Sequence, residues 1–338
     1  MSARRLAVLG AGSWGTVFAQ VLADAGNEVT LWARREEIAA SIRTEHRNPA
    51  YLPQLDLATL IGATSDVRTA LKDADGIVIA VPAQSLRENL RAWRERGQLG
   101  AIAAGAPVMS LVKGIERGTD ARISTILAEE TGMDPDRIGV LSGPNLSGEI
   151  AQRQPCGSVI ACTDASLASE FAAWADAPYL RAYTSSDVIG VEIAGAVKNV
   201  IAIVVGAATG LGYGHNTTAS LITRGLAEIT RLGVALGGHR ETFAGLAGMG
   251  DLVATCASPL SRNHRLGLAL GRGLDVDAAR AEVGQTAEGV ATARAVSHLA
   301  HRLGIDMPLT SAVVAVVDSG ASITEVTAAL LSRSVRPE

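Results

Sequence analysis

Lys198 sits in the middle of VIGVEIAGAVKNVIAIVVGAA, surrounded by isoleucine, alanine and valine. A lone ammonium in such company is expensive to bury, so it must pair, shift its pKa or reach a cavity. A lysine held that way can exchange a proton with an oxygen whose charge changes during a reaction. The competing reading is a salt-bridged structural lysine at a seam between domains. Glu192 is not on the same face of the helix, so a partner has to come from elsewhere. Asp251 is the candidate, a single carboxylate in the glycine-rich, apolar run GLAGMGDLVATC. It is also well placed to cap a helix opened by LVATC, and one oxygen can cap while the other meets a lysine.

Just beyond, SPLSRNHRLG gathers Ser258, Ser261, Arg262, Asn263 and Arg265. A forked guanidinium, an amide donor and hydroxyls in so short a run make an anion site. A basic, solvated helix start is the alternative, and it suits Arg265 better than Arg262.

Near the N-terminus, Gly10, Gly12 and Gly15 read G-x-G-x-x-G within LAVLGAGSWG, with the small residue Ala19 following. The first glycine permits a tight turn and the second lets backbone approach a pyrophosphate. The third lets helix and strand pack closely, and the helix N-terminus faces the negative charge. With 36 glycines in the chain the pattern alone is weak; its strand–turn–helix setting gives it force. At the end of the next strand, in VTLWARREE, a carboxylate would accept from a ribose 2′-hydroxyl. Arg34 and Arg35 stand there instead, with no acid before Glu36. A guanidinium suits a 2′-phosphate, so NADPH is the expected cofactor and NADH the alternative. Arg35 reads equally well as the solvated start of the following helix. Lys113 follows PVMSLV, and Gly143, Pro144 and Asn145 follow RIGVLS, at strand ends where doubly wound sheets keep their ligands. An exposed loop lysine would also fall there by chance.

These residues need a frame. LAVLG (6–10), EVTLWA (28–33), GIVIAV (76–81), PVMSLV (107–112), RIGVLS (137–142) and SVIACT (158–163) read as strands, with helical patterns between most of them. Such alternation means an α/β domain with a doubly wound, mainly parallel, Rossmann-like sheet. From about Asp187 strand signals nearly vanish, and 188–208, 216–236, 262–271, 276–281, 287–303 and 308–318 read as helices. The expected division is a dinucleotide-binding domain, 1–186, and an all-helical substrate-binding and catalytic domain, 187–338, with the first long helix serving both.

At 338 residues, 48% of them hydrophobic, the chain can bury a sizeable core. A net charge of −4 and 3% aromatics give no general attraction for nucleic acid and no stacking platform. Cys156, Cys162 and Cys256 show no C-x-x-C spacing and suit a reducing compartment. His298 and His301 lack a third ligand nearby, so a solvated helix face is expected and no metal site. Arg4 and Arg5 before an uncharged stretch mimic a secretory signal, but the glycine fingerprint and the strand after it favour a cytoplasmic protein. The apolar helix around Lys198 is long enough to suggest a membrane span. A mid-span lysine is disfavoured by about 2.5–3.5 kcal/mol, which favours a buried helix and no membrane insertion.

Taken in order, GAGSWGT, HRNPAYLP, VPAQSLR, VKGIERGT, AVKNVIAI, TRGLAEI, GLAGMGDLVATC and SRNHRLG resemble the bacterial NAD(P)-dependent glycerol-3-phosphate dehydrogenases over nearly the whole chain. The first segment is common to many nucleotide-binding proteins; VKG, VKN, GMGDL and SRN in succession are highly specific. The resemblance implies a two-domain cytoplasmic enzyme, usually a homodimer. Its reaction would be the reversible reduction of dihydroxyacetone phosphate to sn-glycerol 3-phosphate, the backbone of phospholipids. It implies that Lys198 donates and accepts the proton with Asp251 nearby, and that Lys113 touches substrate and cofactor. Gly143, Asn145, Ser261, Arg262 and Asn263 would line the substrate site. Ser13, Trp14, Arg34, Arg262 and Glu288 would contact the cofactor. Two segments depart from the family pattern. G-P-S-F-A is here Gly143-Pro144-Asn145-Leu146-Ser147, which weakens the substrate role of Asn145 and the cofactor contact at Ser147. V-V-E-G is here Thr286-Ala287-Glu288-Gly289, which keeps the acid.

The residues and the resemblance alike imply hydride transfer to a ketone carbon, with Lys198 protonating the alkoxide and a phosphate anchor holding the carbonyl in place. One rival is a related dehydrogenase of 3-hydroxy acids, which would want a carboxylate anchor and not the SRN segment. The other is a nucleotide sensor without turnover, which leaves Lys198 and Asp251 without a role.

Overall fold

The computed structural model describes residues 3–284 and 287–331; Thr286 and the last residues assigned above to the helical domain, 332–338, lie outside them. Ten strands form in the first half: β1 Arg5–Leu9, β2 Glu28–Trp32, β3 Arg47–Asn48, β4 Leu52–Asp56, β5 Ile61–Thr64, β6 Gly76–Ile79, β7 Val108–Ser110, β8 Ile138–Ser142, β9 Cys156–Ala161 and β10 Leu180–Ser185. Eight of them make one sheet in the order β10-β9-β8-β7-β6-β1-β2-β5, and β3 and β4 make a separate antiparallel hairpin. The order reverses at β1, which pairs in parallel with β2 on one side and β6 on the other. That reversal is the switch point at which open α/β sheets hold ligands.

The apolar run of β1 follows from its position. Leu6 and Val8 join the core on one face, with Phe18, Leu22, Phe171 and Trp174; Ala7 and Leu9 join that on the other, with Leu86, Leu90 and Ile126. A strand covered on both faces needs apolar residues at successive positions, not alternate ones. The segment that imitates a secretory signal is therefore a buried central strand and the helix Ser13–Asp24 behind it.

The six expected strands are present, and four elements escape the pattern. β5 (IGAT) and β10 (LRAYTS) are the two edges of the sheet, and most of β10 is not buried, so neither carries a continuous apolar signal. The hairpin β3–β4 is largely exposed. β9 also runs antiparallel to β8, because the chain between them contains only the short helix Ser147–Ala151 and turns back without crossing the sheet.

The chain divides into two compact units, Met1–Lys113 with Ala121–Glu192, and Gly114–Asp120 with Ile193–Glu338. It passes from one to the other within the helix Val188–Gly210, and Gly114–Asp120, out of the VKGIERGT motif, is counted with the second. From Ile193 onwards the described residues of the second unit form helices joined by short loops. Val200, Ile203, Leu266, Leu270, Val290, Ala293 and Val313 build a core from the helices Val188–Gly210, Arg262–Gly271, Glu288–Arg302 and Pro308–Ser319. Val188–Gly210 has a mean hydropathy of 2.0 over its best 18-residue window, of which 83% is buried inside the protein.

Candidate active site

In the first unit the turn after β1 is held very tightly. Gly10 has φ +131°, and a Cβ there would lie 2.5 Å from the Ala80 carbonyl oxygen just past β6. A Cβ on Gly15 would lie 1.9 Å from the carbonyl oxygen of Gly10, so helix and turn are in backbone contact. Gly12 differs: a Cβ there meets nothing within 4 Å. It is the N-cap of Ser13–Asp24, with no side chain capping the turn and no acid in it. The first N–H groups of this helix remain available to an anion. Trp14 packs its ring on Phe18 at 5.4 Å, and its buried indole N–H finds no acceptor among the described residues. An open helix N-terminus, a side-chain-free approach and an orphaned donor fit a dinucleotide.

Arg34 and Arg35 separate in the structure. Both are exposed beyond the end of β2, yet Arg35 reaches the Glu37 carboxylate at 3.6 Å. Glu36 is engaged by Arg43 at 3.0 Å and by the Ser65 hydroxyl at 2.5 Å, which hold its carboxyl below the usual range. Arg34 makes no ion pair among the described residues.

Lys113 and the loop after β8 come together. Its Nζ donates to Asn145 Oδ1 at 2.7 Å and to the Gly143 carbonyl at 3.3 Å. Gly143 adopts φ +137°. With its oxygen occupied, Asn145 turns its Nδ2 the other way, where this buried donor has no partner among the described residues. Ser147 is half-buried and opens the short helix after β8.

In the second unit Lys198 and Asp251 form an ion pair, and Nζ also donates to Thr255 Oγ1 at 2.8 Å. All three are buried, at 6%, 1% and 4% exposure. The capping role considered for Asp251 does not arise. Its backbone is already helical (φ −69°, ψ −34°), and Asp251–Ala257 continues directly from a π-helical turn, Leu246–Gly250. Thr255 went unnoticed in the sequence, although D-x-x-x-T puts acid and hydroxyl on one helix face. Burial, opposed by Lys198 and reinforced by Asp251, pushes the neighbouring Cys256 thiol up to about 12, so it is no nucleophile at neutral pH. Glu192 binds Arg122 at 2.5 Å and the Ser124 amide at 2.7 Å, not Lys198.

The SRN segment opens the helix Arg262–Gly271. Ser261 is its N-cap, accepting from the His264 N–H at 3.2 Å, so its own proton stays free to donate. Arg262 is exposed and makes no ion pair among the described residues. Asn263 Oδ1 accepts from the Gly289 N–H at 3.0 Å, which fixes the amide and leaves Nδ2 as a donor. A Cβ on Gly289 would lie 2.7 Å from both this oxygen and the Asn199 carbonyl, so the AVKN, SRN and EG segments converge here. Glu288, half-buried, precedes that glycine. His298 and His301 lie on an exposed helix face, as expected, and His298 Nδ1 there lies 2.5 Å from Asp120 Oδ2, which Arg302 also reaches at 3.3 Å.

Comparison with known proteins follows the same lines. A family model for the NAD-dependent glycerol-3-phosphate dehydrogenase N-terminus matches residues 5–168, and one for the C-terminus matches 187–328. The chain is 54% identical over 335 residues to glycerol-3-phosphate dehydrogenase (NAD(P)+) of Thermobifida fusca, covering 99% of this chain and 98% of that one. It is 55% identical to the Nocardia farcinica protein of the same name, over 99% of both chains. The crystal structure of glycerol-3-phosphate dehydrogenase from Coxiella burnetii is similar with a TM-score of 0.91 and 35% identity, covering 98% of this chain and 99% of that one.

Proposed function

The chain belongs to the family of NAD-dependent glycerol-3-phosphate dehydrogenases, and on that premise we propose how its own residues reduce dihydroxyacetone phosphate to sn-glycerol 3-phosphate, reversibly and with NADPH preferred over NADH. It is an oxidoreductase that uses NAD(P)H. When bound, the dihydronicotinamide supplies the hydride.

Lys198 gives a proton to the oxygen of the ketone as charge develops on it, and takes the proton back in the reverse direction. Asp251 holds the ammonium in place, and Thr255 sets its direction. Arg262, the Asn263 amide and the Ser261 hydroxyl hold the substrate phosphate; each has a donor not consumed among the described residues. Asn145, fixed by Lys113, offers its unpaired N–H to the substrate, with Gly143 shaping the loop. The Gly10–Gly15 turn, Ser13 and Trp14 carry the pyrophosphate half of the cofactor, with Lys113, Ser147, Arg262 and Glu288 as further contacts. Arg34 takes the 2′-phosphate, and Arg35, already committed to Glu37, contributes less.

The observation that carries this reading is the buried, mutually hydrogen-bonded Lys198–Asp251–Thr255 group. NADPH oxidation followed with dihydroxyacetone phosphate and with unphosphorylated dihydroxyacetone tests it. The phosphorylated ketone should be turned over far faster, because the phosphate supplies most of the binding energy. Arg262→Ala at saturating NADPH should collapse the kcat/KM ratio between the two; an unchanged ratio would place the phosphate elsewhere. The family resemblance further supports a cytoplasmic homodimer feeding phospholipid synthesis. Light scattering at micromolar concentration would refute the dimer by returning a monomer mass.

A further inference from the structure

The HRNPAYLP segment has no role in the chemistry above, yet it contains a fully buried polar side chain against the glycine turn. Asn48, in β3, is 0% exposed. Its Nδ2 donates to the Ala11 carbonyl at 3.0 Å and to Thr16 Oγ1 at 2.8 Å. One amide therefore bridges the middle of the turn and the first turn of the helix behind it. The Ala11 carbonyl sets the orientation, since it can only accept and Asn48 must present N–H to it; the oxygen, Oδ1, is buried without a hydrogen bond among the described residues. A buried unsatisfied acceptor costs about 1–3 kcal/mol, so the arrangement is poor as a purely structural device. The segment is anchored a second time where the Ala58 N–H donates to Gln20 Oε1 at 2.8 Å, further along the same helix.

The peptide between Ala11 and Gly12 is planar and trans, so its carbonyl and its N–H point in opposite directions. Holding the Ala11 oxygen from behind aims the Gly12 N–H the opposite way, and a Cβ on Gly12 would meet nothing within 4 Å. Glycine is free to rotate that peptide, and a turn that must present its N–H to an anion gains from having the rotation stopped.

We propose that Asn48 is a positioning residue for the dinucleotide pyrophosphate, fixing the Ala11–Gly12 peptide so that the Gly12 N–H faces the anion. This rests on the reading of the Gly10–Gly15 turn as the pyrophosphate site. Because the pyrophosphate is common to both cofactors, Asn48 acts on NADPH and NADH alike, unlike Arg34.

The test is Asn48→Leu, similar in volume and without donors, titrated with NADPH, NADH and 2′-AMP, which has the adenosine 2′-phosphate but no pyrophosphate. Kd for both dinucleotides should rise about tenfold, by equal factors, the equivalent of one hydrogen bond to a charged group. Kd for 2′-AMP and kcat at saturating NADPH should stay within twofold of wild type. Unchanged dinucleotide affinity, with or without a lower Tm, would overturn the proposal, as would equal weakening of 2′-AMP. Should Asn48→Leu not fold, hydrogen exchange on the wild-type protein decides. NADPH should slow exchange in both 11–16 and 46–50, and 2′-AMP in neither; protection of 11–16 alone would overturn the coupling. Wild-type protein that bound 2′-AMP but no better NADPH would instead overturn the reading of the turn itself.

Discussion

Lys198 shows how burial converts a residue type into a role. At 6% exposure its ammonium is stabilised by two partners, Asp251 and Thr255, both from one face of a single helix. Lys198→Ala should lower kcat roughly a hundredfold to ten-thousandfold with little change in cofactor affinity, as loss of a general acid does. Lys198→Arg should not rescue, because a guanidinium scarcely releases its proton; recovery of activity would sink the assignment. Thr255→Val keeps the shape and removes one acceptor. Steady-state kinetics should show kcat down by roughly tenfold or more, with KM nearly constant, for the loss of a hydrogen bond to a charged group. Arg34 and Arg35 are adjacent in the chain, but of the two only Arg35 has a carboxylate partner among the described residues, Glu37. Arg34→Ala should therefore weaken NADPH relative to NADH by about 1.5–3 kcal/mol in fluorescence titrations, and Arg35→Ala by clearly less. Equal losses of both cofactors at Arg34 would mean it does not read the 2′-phosphate.

The helix that presents Arg262 and Asn263 is set by glycine against the helix that carries Lys198. Gly206 and Gly210 on one, and Gly267 and Gly271 on the other, are each spaced four apart. A Cβ on Gly206 would lie 2.1 Å from the His264 carbonyl oxygen, and one on Gly267 would lie 2.0 Å from that of Ile203. Backbone meets backbone here, and neither side can give way by changing a rotamer. Gly267→Ala should destabilise the protein by at least about 1–3 kcal/mol, the usual cost of overpacking, in urea unfolding. It should also impair catalysis, because the same helix begins with the phosphate-binding residues. Gly214→Ala is the control, since its Cβ would meet nothing within 4 Å and its φ of −86° suits alanine. Comparable losses in both variants would remove the packing argument.

Across the whole molecule, one buried carboxylate gives stability a pH dependence of unusual sign. Glu228, in the helix His215–Ala235, accepts from the Leu309 N–H at 2.7 Å and the Thr310 N–H at 3.3 Å, capping the helix Pro308–Ser319 from outside. Burial outweighs these donors and Arg231 and pushes its carboxyl up to about 7. The folded protein then holds this proton at pH values where the unfolded chain has lost it. Its contribution to stability is complete below the unfolded carboxylate's range, declines as pH rises towards 7, and is flat above. The shift corresponds to about 3 kcal/mol over that window. The Tm of wild type should fall between pH 5 and pH 7.5 more steeply than that of Glu228→Gln; parallel curves would show that Glu228 does not titrate there.

What the sequence determined by itself was whatever rests on near neighbours in the chain. The glycine spacing after β1 specified a strand–turn–helix, because each glycine answers a steric demand within a few residues. The change from alternating strands and helices to helices alone announced two kinds of structure. The apolar run around Lys198 required a buried ammonium and hence a partner. Tertiary structure alone decided which partners were used. Asp251 and Thr255 reach Lys198 across more than fifty positions, Asn145 is held by Lys113, and Asn48 crosses from β3 to Ala11 and Thr16. The edge strands β5 and β10 belong with these, since their residues are ordinary by local pattern and became strands by pairing with β2 and β9. Periodicity and turn chemistry are local properties of a chain, whereas a hydrogen bond between distant side chains exists only once packing has brought both ends to one place.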